Sequence, residues 1–120
     1  MLAANVLMGA NVYFIAPQHG EHLNSPITVK FGLKGMGVSA AGLAFDGTGH
    51  HHLLINASGL PDLTKPLPSN ETIMHFGQGQ TETQLNLPPG EHQLRLILAD
   101  HLHVPHEPVV MSLPITIYVK

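Results

Sequence analysis

Ten prolines and twelve glycines divide these 120 residues into short segments, and no stretch keeps a helical period over three turns. Proline costs a helix interior several kcal/mol and glycine about 1 kcal/mol, so punctuation at this density leaves little room for helices. The segments between the breakers alternate with period two instead. Val12-Tyr13-Phe14-Ile15, Ile27 to Leu33, His51 to Ile55, Thr81 to Leu87, His92 to Asp100 and Ile115 to Val119 each read as a strand. In the fifth, Leu94, Leu96 and Leu98 share one face, and the Pro88-Pro89-Gly90 turn precedes it. Six short strands separated by turns predict an all-β fold, specifically an immunoglobulin-like antiparallel β-sandwich with Greek-key connections. In that scheme strand A lies near 12–16, B near 27–34, C near 51–56, E near 81–87, F near 92–99 and G near 113–119. The interval 57–80, with Pro61, Pro66 and Pro68, is a long connection holding at most one short strand.

A single domain spanning residues 1–120 is expected, since this length buries an adequate core without disulfides. Residues 1–10 are apolar but lack a basic leader, and they read as a signal remnant or a disordered approach to the first strand. No segment is long enough for a transmembrane helix, so no membrane insertion is expected. The five basic residues are scattered and the formal charge is −3, which argues against nucleic acid as a partner. The absence of cysteine removes disulfides, thiolate zinc sites and cysteine catalysis together.

Histidine is the anomaly. Of ten, seven fall in three short segments: His50-His51-His52, His75, and His101, His103 and His106 in DHLHVPH. Imidazole is the commonest metal-ligating side chain, and dense histidine tracts read first as metal sites. The predicted topology gathers them. The B–C, D–E and F–G connections of such a sandwich lie at one end, whereas His19, His22 and His92 fall at the other. Strand parity places Leu53 and Ile55 inward, hence His51 inward and His50 and His52 outward. Ala99, His101 and His103 continue the face opposite Leu94, Leu96 and Leu98. Neighbouring strands bring facing Cβ atoms within about 5 Å, close enough for two imidazoles to share a metal.

The expected ligands are therefore His50, His52, His101 and His103, with His75 and His106 as further candidates. The metal is copper first and zinc second. Met36, Met74 and Met111 fall near the same end, and thioethers beside imidazoles would favour Cu(I). His51 is read as a core residue, His92 as a turn cap, and His19 and His22 as solvated loop residues. His75 is also suited to orienting a loop through a backbone carbonyl. Asp100 serves either as an acceptor fixing an imidazole tautomer or as the cap of its turn. The role is binding, buffering or delivery. Two alternatives stand beside it: a metal-dependent enzyme with an open coordination position and a base such as Glu107 or Asp100, and a structural domain whose histidines are hydrogen-bonded to one another. The Gly-rich stretches Gly47-Thr48-Gly49 and Gly77-Gln78-Gly79-Gln80 match no phosphate-binding loop.

The segments SPITVKFGLKGMGV, TGHHHLLI, HFGQGQTETQLNLPPGEHQLRL and DHLHVPHEPVV, followed by ITIYV, resemble the bacterial domain of unknown function 4399. The resemblance covers nearly the whole chain, including the triple histidine and the His-X-His-Val-Pro-His run. It implies a small exported domain, secreted or periplasmic, with no established activity. At fold level alone, DHLHVPHEP is similar in position to an Asp-Gly-His-Pro phrase of periplasmic copper-carrier sandwiches, whose N-terminal histidine this chain lacks.

Overall fold

The computed structural model describes residues 10–120, and they contain strands and turns only. The strands are β1 (Asn11–Ala16), β2 (His22–Leu23), β3 (Ile27–Lys34), β4 (Gly37–Val38), β5 (Thr48–Ile55), β6 (Ile73–His75), β7 (Glu82–Leu85), β8 (Gly90–Ala99), β9 (Pro105–Met111) and β10 (Ile115–Val119). One sheet has the order β1-β3-β7 and is antiparallel throughout. The other runs β2-β10-β8-β5-β4, with β6 also paired to β5 and β9 to β8. Its main pairings, β10 with β8 and β5 with β8, are antiparallel, and two-residue parallel contacts join β2 and β4 at its margins. The all-β, antiparallel expectation is met. The expectation for residues 1–10 falls outside the described residues, except for Ala10, which packs against the core.

Alternation explains how the sheets meet. Val12, Ile27, Val29, Phe31 and Leu85 from the first sheet pack with Leu53, Leu94, Leu96, Leu98, Ile117 and Val119 from the second in one core. Each fully buried Leu or Ile here contributes about 1.5–3 kcal/mol relative to exposure. The strands at 27–34 and 92–99 are where the sequence places them, and β6 is the single short strand expected inside 57–80.

Two features depart from the sequence reading. The stretch after β8 is not an open connection. After a turn it forms β9, which pairs Leu98 with Val110 and Ala99 with Pro105. In addition, β5 is buried on both faces, from Gly49 to Leu54. Its second face carries a smaller core of Leu54, Leu67, Ile73, Ile97 and Ala99, against which Ala57, Leu63 and Met111 pack. Leu67 reaches this face because the proline-punctuated 57–72 segment folds back over the sheet. Apolar residues within an irregular segment carry no periodicity that would announce such a cover.

Candidate metal centre

The site is built on β5 and its two neighbours. His50 pairs with Ala99 and His52 with Ile97 on β8, while β6 sets His75 directly opposite His52. His50 and His52 share the face of Leu54, and His51 lies on the core face with Leu53. Parity is as expected, but outward does not mean exposed. All three are fully buried: His51 packs in the main core against Phe31, and His50 and His52 lie under the 57–72 segment and the turn after β8, which cover the second face.

That turn supplies His103. The His103 N–H donates to the Asp100 carbonyl (2.9 Å), and the Asp100 N–H donates to that of Val104 (2.9 Å). Asp100 Oδ1 accepts the N–H of Leu102 (2.9 Å) and of Val104 (3.0 Å), and the Leu67 N–H donates to the His103 carbonyl (2.8 Å). So held, His103 takes a left-handed backbone with φ of 64°. For a residue with a Cβ that conformation costs about 1–2 kcal/mol, and such strain persists only where surrounding bonds over-determine it. Asp100 is thus the cap of its turn, and through the turn it positions His103.

The result is a triad. One ring nitrogen from each of His50, His52 and His103 lies within 4.8 Å of the other two. His50 Nε2 is 2.9 Å and His52 Nε2 is 3.4 Å from His103 Nδ1. Ligand nitrogens about 2.0–2.1 Å from a tetrahedral ion stand roughly 3.3 Å apart, so small side-chain adjustments would suffice to accept one. Hydrogen bonds alone leave the triangle incomplete. A ring nitrogen has one lone pair or one proton, so His103 Nδ1 serves His50 or His52, not both. The outer nitrogens, Nδ1 of His50 and of His52, are buried without partners. A cation binding all three inner lone pairs would leave two outer N–H groups unpaired, at about 1–3 kcal/mol each. Structural zinc sites supply about 10–16 kcal/mol, so coordination outweighs that cost.

His75 packs edge-on to His52, with ring centroids 4.3 Å apart, and lies 4.6 Å from the ring of His103. Its Nε2–H donates to the Pro68 carbonyl (2.8 Å), which fixes the proton there and leaves Nδ1 with a free lone pair. It stands beside the triad but outside the group of mutually close ligand atoms.

The electrostatics favour neutral imidazoles, the form that binds metal. Burial first, then the neighbouring rings of His103 and His75, lowers His50 from 6.5 to about 4 despite the opposing pull of Asp100. Burial, with His50, His75 and His103, lowers His52 to about 2. His103 is lowered as well, chiefly by burial and then by His75, against Asp100.

The other candidates lie elsewhere. His101 and His103 do not form a pair on one strand, because both sit in the turn before β9. The His101 carbonyl accepts the Gly42 N–H (3.1 Å), and its side chain lines a cavity with Leu43, Asp46, Asp100 and His106. His106 Nε2 is buried without a partner beside Gly49, which belongs to the core face of β5. The four histidines that the structure brings together are His50, His52, His103 and His75.

The thioethers do not join them. Met36 and Met74 pack against the main core, and Met111 sits two strands from His52, beyond Ile97. His51 is the expected core residue, tilted against Phe31 at 5.0 Å and lowered by burial to about 4, with neither ring nitrogen partnered. His92 donates from Nε2 to the Pro88 carbonyl (2.7 Å), and its Nδ1 accepts from Asn56 (2.9 Å). It is the expected turn cap. His19 and His22 are exposed yet tied to β10: His19 Nδ1 accepts the Thr116 N–H (3.0 Å), and His22 stacks on Tyr118. All three lie by the Gly90 end of β8, about 20 Å along the strand from Ile97 and Ala99, which carry the triad's register. The Leu67 N–H and the Pro68 carbonyl complete the surroundings of His103 and His75, and backbone groups in an irregular segment leave no signature in the sequence.

Fold and site together define a small all-β domain carrying a largely buried histidine triad that could hold a metal ion. The chain belongs to the family described as domain of unknown function DUF4399, whose family model matches residues 29–120. That span contains the whole triad. No curated protein and no solved structure matches the chain.

Proposed function

We propose that this protein is a secreted or periplasmic module that binds a transition metal, copper first and zinc second, through His50, His52 and His103. The observation that carries the reading is the convergence of three imidazole nitrogens within 4.8 Å of one another, two from fully buried rings and one from the half-buried His103. Imidazole suits both metals, and the triad is mounted on a two-strand platform and a turn fixed by Asp100. His75 is the reserve ligand, with its proton already parked on the Pro68 side. His101 and His106 are assigned no coordination. Binding or delivery is preferred to catalysis because two of the three rings, His50 and His52, are fully buried. Export rests on the family resemblance. An immunoglobulin-like arrangement is part of the same reading, supported by β1, β3 and β7 sharing one sheet and β5, β8 and β10 the other.

One observation favours a rival. The 2.9 Å separation of His50 and His103 is also an ordinary N–H···N hydrogen bond, as a purely structural cluster would have. Calorimetric titration with copper and with zinc separates the two. The metal reading expects one ion per chain, binding lost in His52→Ala and His103→Ala, and binding retained in His101→Ala. Absence of binding to the folded wild-type chain would establish the structural cluster instead.

A further inference from the structure

We propose, on the strength of the metal-binding reading, that the triad selects a monovalent ion, copper(I), over copper(II) and zinc(II). All three donors are neutral imidazoles, so the protein contributes no negative charge to the inner sphere. His50 and His52 are fully buried, and Leu67, Ile97 and Ala99 pack on the same face of the sheet. The cost of moving an ion from water into such surroundings rises with the square of its charge, so a divalent ion pays about fourfold more than a monovalent one.

One carboxylate is placed to compensate, and its charge matches one unit. Asp100 directly follows Ala99, the β8 partner of His50. Its Oδ1 accepts the N–H groups of Leu102 and Val104, the residues on either side of His103. Among the described residues it is the carboxylate whose charge bears on His50 and His103. A monovalent ion beside it is neutralised, whereas a divalent ion retains a net positive charge inside the fold.

Coordination number points the same way. Zinc sites take four ligands, and three from protein require a water or anion in the fourth position. Copper(I) is satisfied by three. His75, the nearest fourth donor, stands outside the mutually close group. The order of divalent affinities makes copper(II) the strongest competitor, so it is the ion against which selection must be measured.

The test uses the full chain, without oxygen, with copper(I) partitioned between the protein and a chromophoric chelator. Zinc(II) and copper(II) are competed in parallel, and the potential of bound copper is measured by voltammetry. A 100-fold preference for copper(I) over copper(II), relative to copper in solution, raises that potential by about 120 mV at 59 mV per tenfold. Asp100→Asn keeps an Oδ1 acceptor for both turn N–H groups and removes only the charge. It should weaken copper(I) about tenfold in a metal-free chain that still melts cooperatively, its midpoint lowered only by the exchange of two charge-assisted hydrogen bonds for neutral ones. Zinc(II) binding the triad more tightly than copper(I), or a potential not raised above that of copper in solution, would overturn the selectivity. Unchanged copper(I) affinity in a folded Asp100→Asn chain would overturn the charge argument. Failure of every ion to bind, or binding that survives His52→Ala combined with His103→Ala, would instead overturn the metal-binding reading beneath it.

Discussion

Acid should unfold the metal-free protein over a narrow range, and the histidine strand sets where. His50 and His51 are held neutral down to about 4 and His52 to about 2, chiefly by burial. In the unfolded chain each takes a proton near 6.5. These folded-state values are depressed, so the unfolded state binds more protons and stability falls with pH. The stability is fully present above 6.5 and is lost progressively below it. The contributions of His50 and His51 level off near pH 4, and that of His52 continues to about pH 2. One proton of difference is worth about 1.4 kcal/mol per pH unit, so three groups give at most about 4 kcal/mol per unit once the unfolded chain is protonated. Two pH units therefore remove up to about 8 kcal/mol, which unfolds a domain in the lower half of the typical range of about 5–15 kcal/mol and leaves a more stable one close to its threshold. Urea denaturation at fixed pH from 7.5 to 4.5 provides the assay, with the midpoint as readout. The midpoint should be level above pH 7 and fall steeply below 6.5. His51→Leu, which replaces the unpartnered ring between Phe31 and the strand with an apolar side chain, should reduce the slope by about a third. A midpoint that stays level from pH 7 to 5 would refute the claim that these imidazoles are buried in the neutral form.

Gly49→Ala should destabilise the fold by about 1–3 kcal/mol, read as a lowered thermal midpoint. Its Cβ would lie 2.5 Å from the Ala99 carbonyl oxygen and 2.7 Å from His106 Nε2, and paired backbone cannot yield cheaply. A variant that melts with the wild type would show the strands to be looser there than described. His92→Ala removes the bonds to Pro88 and Asn56 and should cost about 1–3 kcal/mol. Metal affinity in calorimetry should not change, because the site is at the far end of β8. A loss of affinity at unchanged stability would contradict that separation.

The all-β class and the histidine end were legible because both rest on periodicity. Alternation in 92–99 sets Leu94, Leu96 and Leu98 inward, and the same parity puts His50 and His52 opposite His51. What covers the second face of β5 was not legible. Leu67 lies in a proline-punctuated segment with no repeating pattern, yet it turns an apparently exposed strand face into a small core. The roles of His101 and His103 turned on a single backbone angle. As an extended strand, DHLH would set both imidazoles on one face. The turn capped by Asp100 and the left-handed His103 send only the second toward the triad. An aspartate at a turn is a visible signal, but it does not specify which following residue takes positive φ. His106 lies apart from the triad for a related reason: β9 begins at Pro105 and lays its second residue beside Gly49 of β5, on the core face.

The central claim is that three imidazoles converge to hold a metal, and X-ray absorption at the metal edge of the copper-loaded chain tests it most directly. After loading and removal of free ion, the account predicts retained copper with a first shell of nitrogen at about 2.0 Å, close to the usual metal–imidazole distance. The outer-shell pattern of imidazole should correspond to three rings, and His103→Ala should lose one of them together with most of the bound ion. A sulfur neighbour, an oxygen-dominated shell, or a wild-type chain that retains no copper would contradict it.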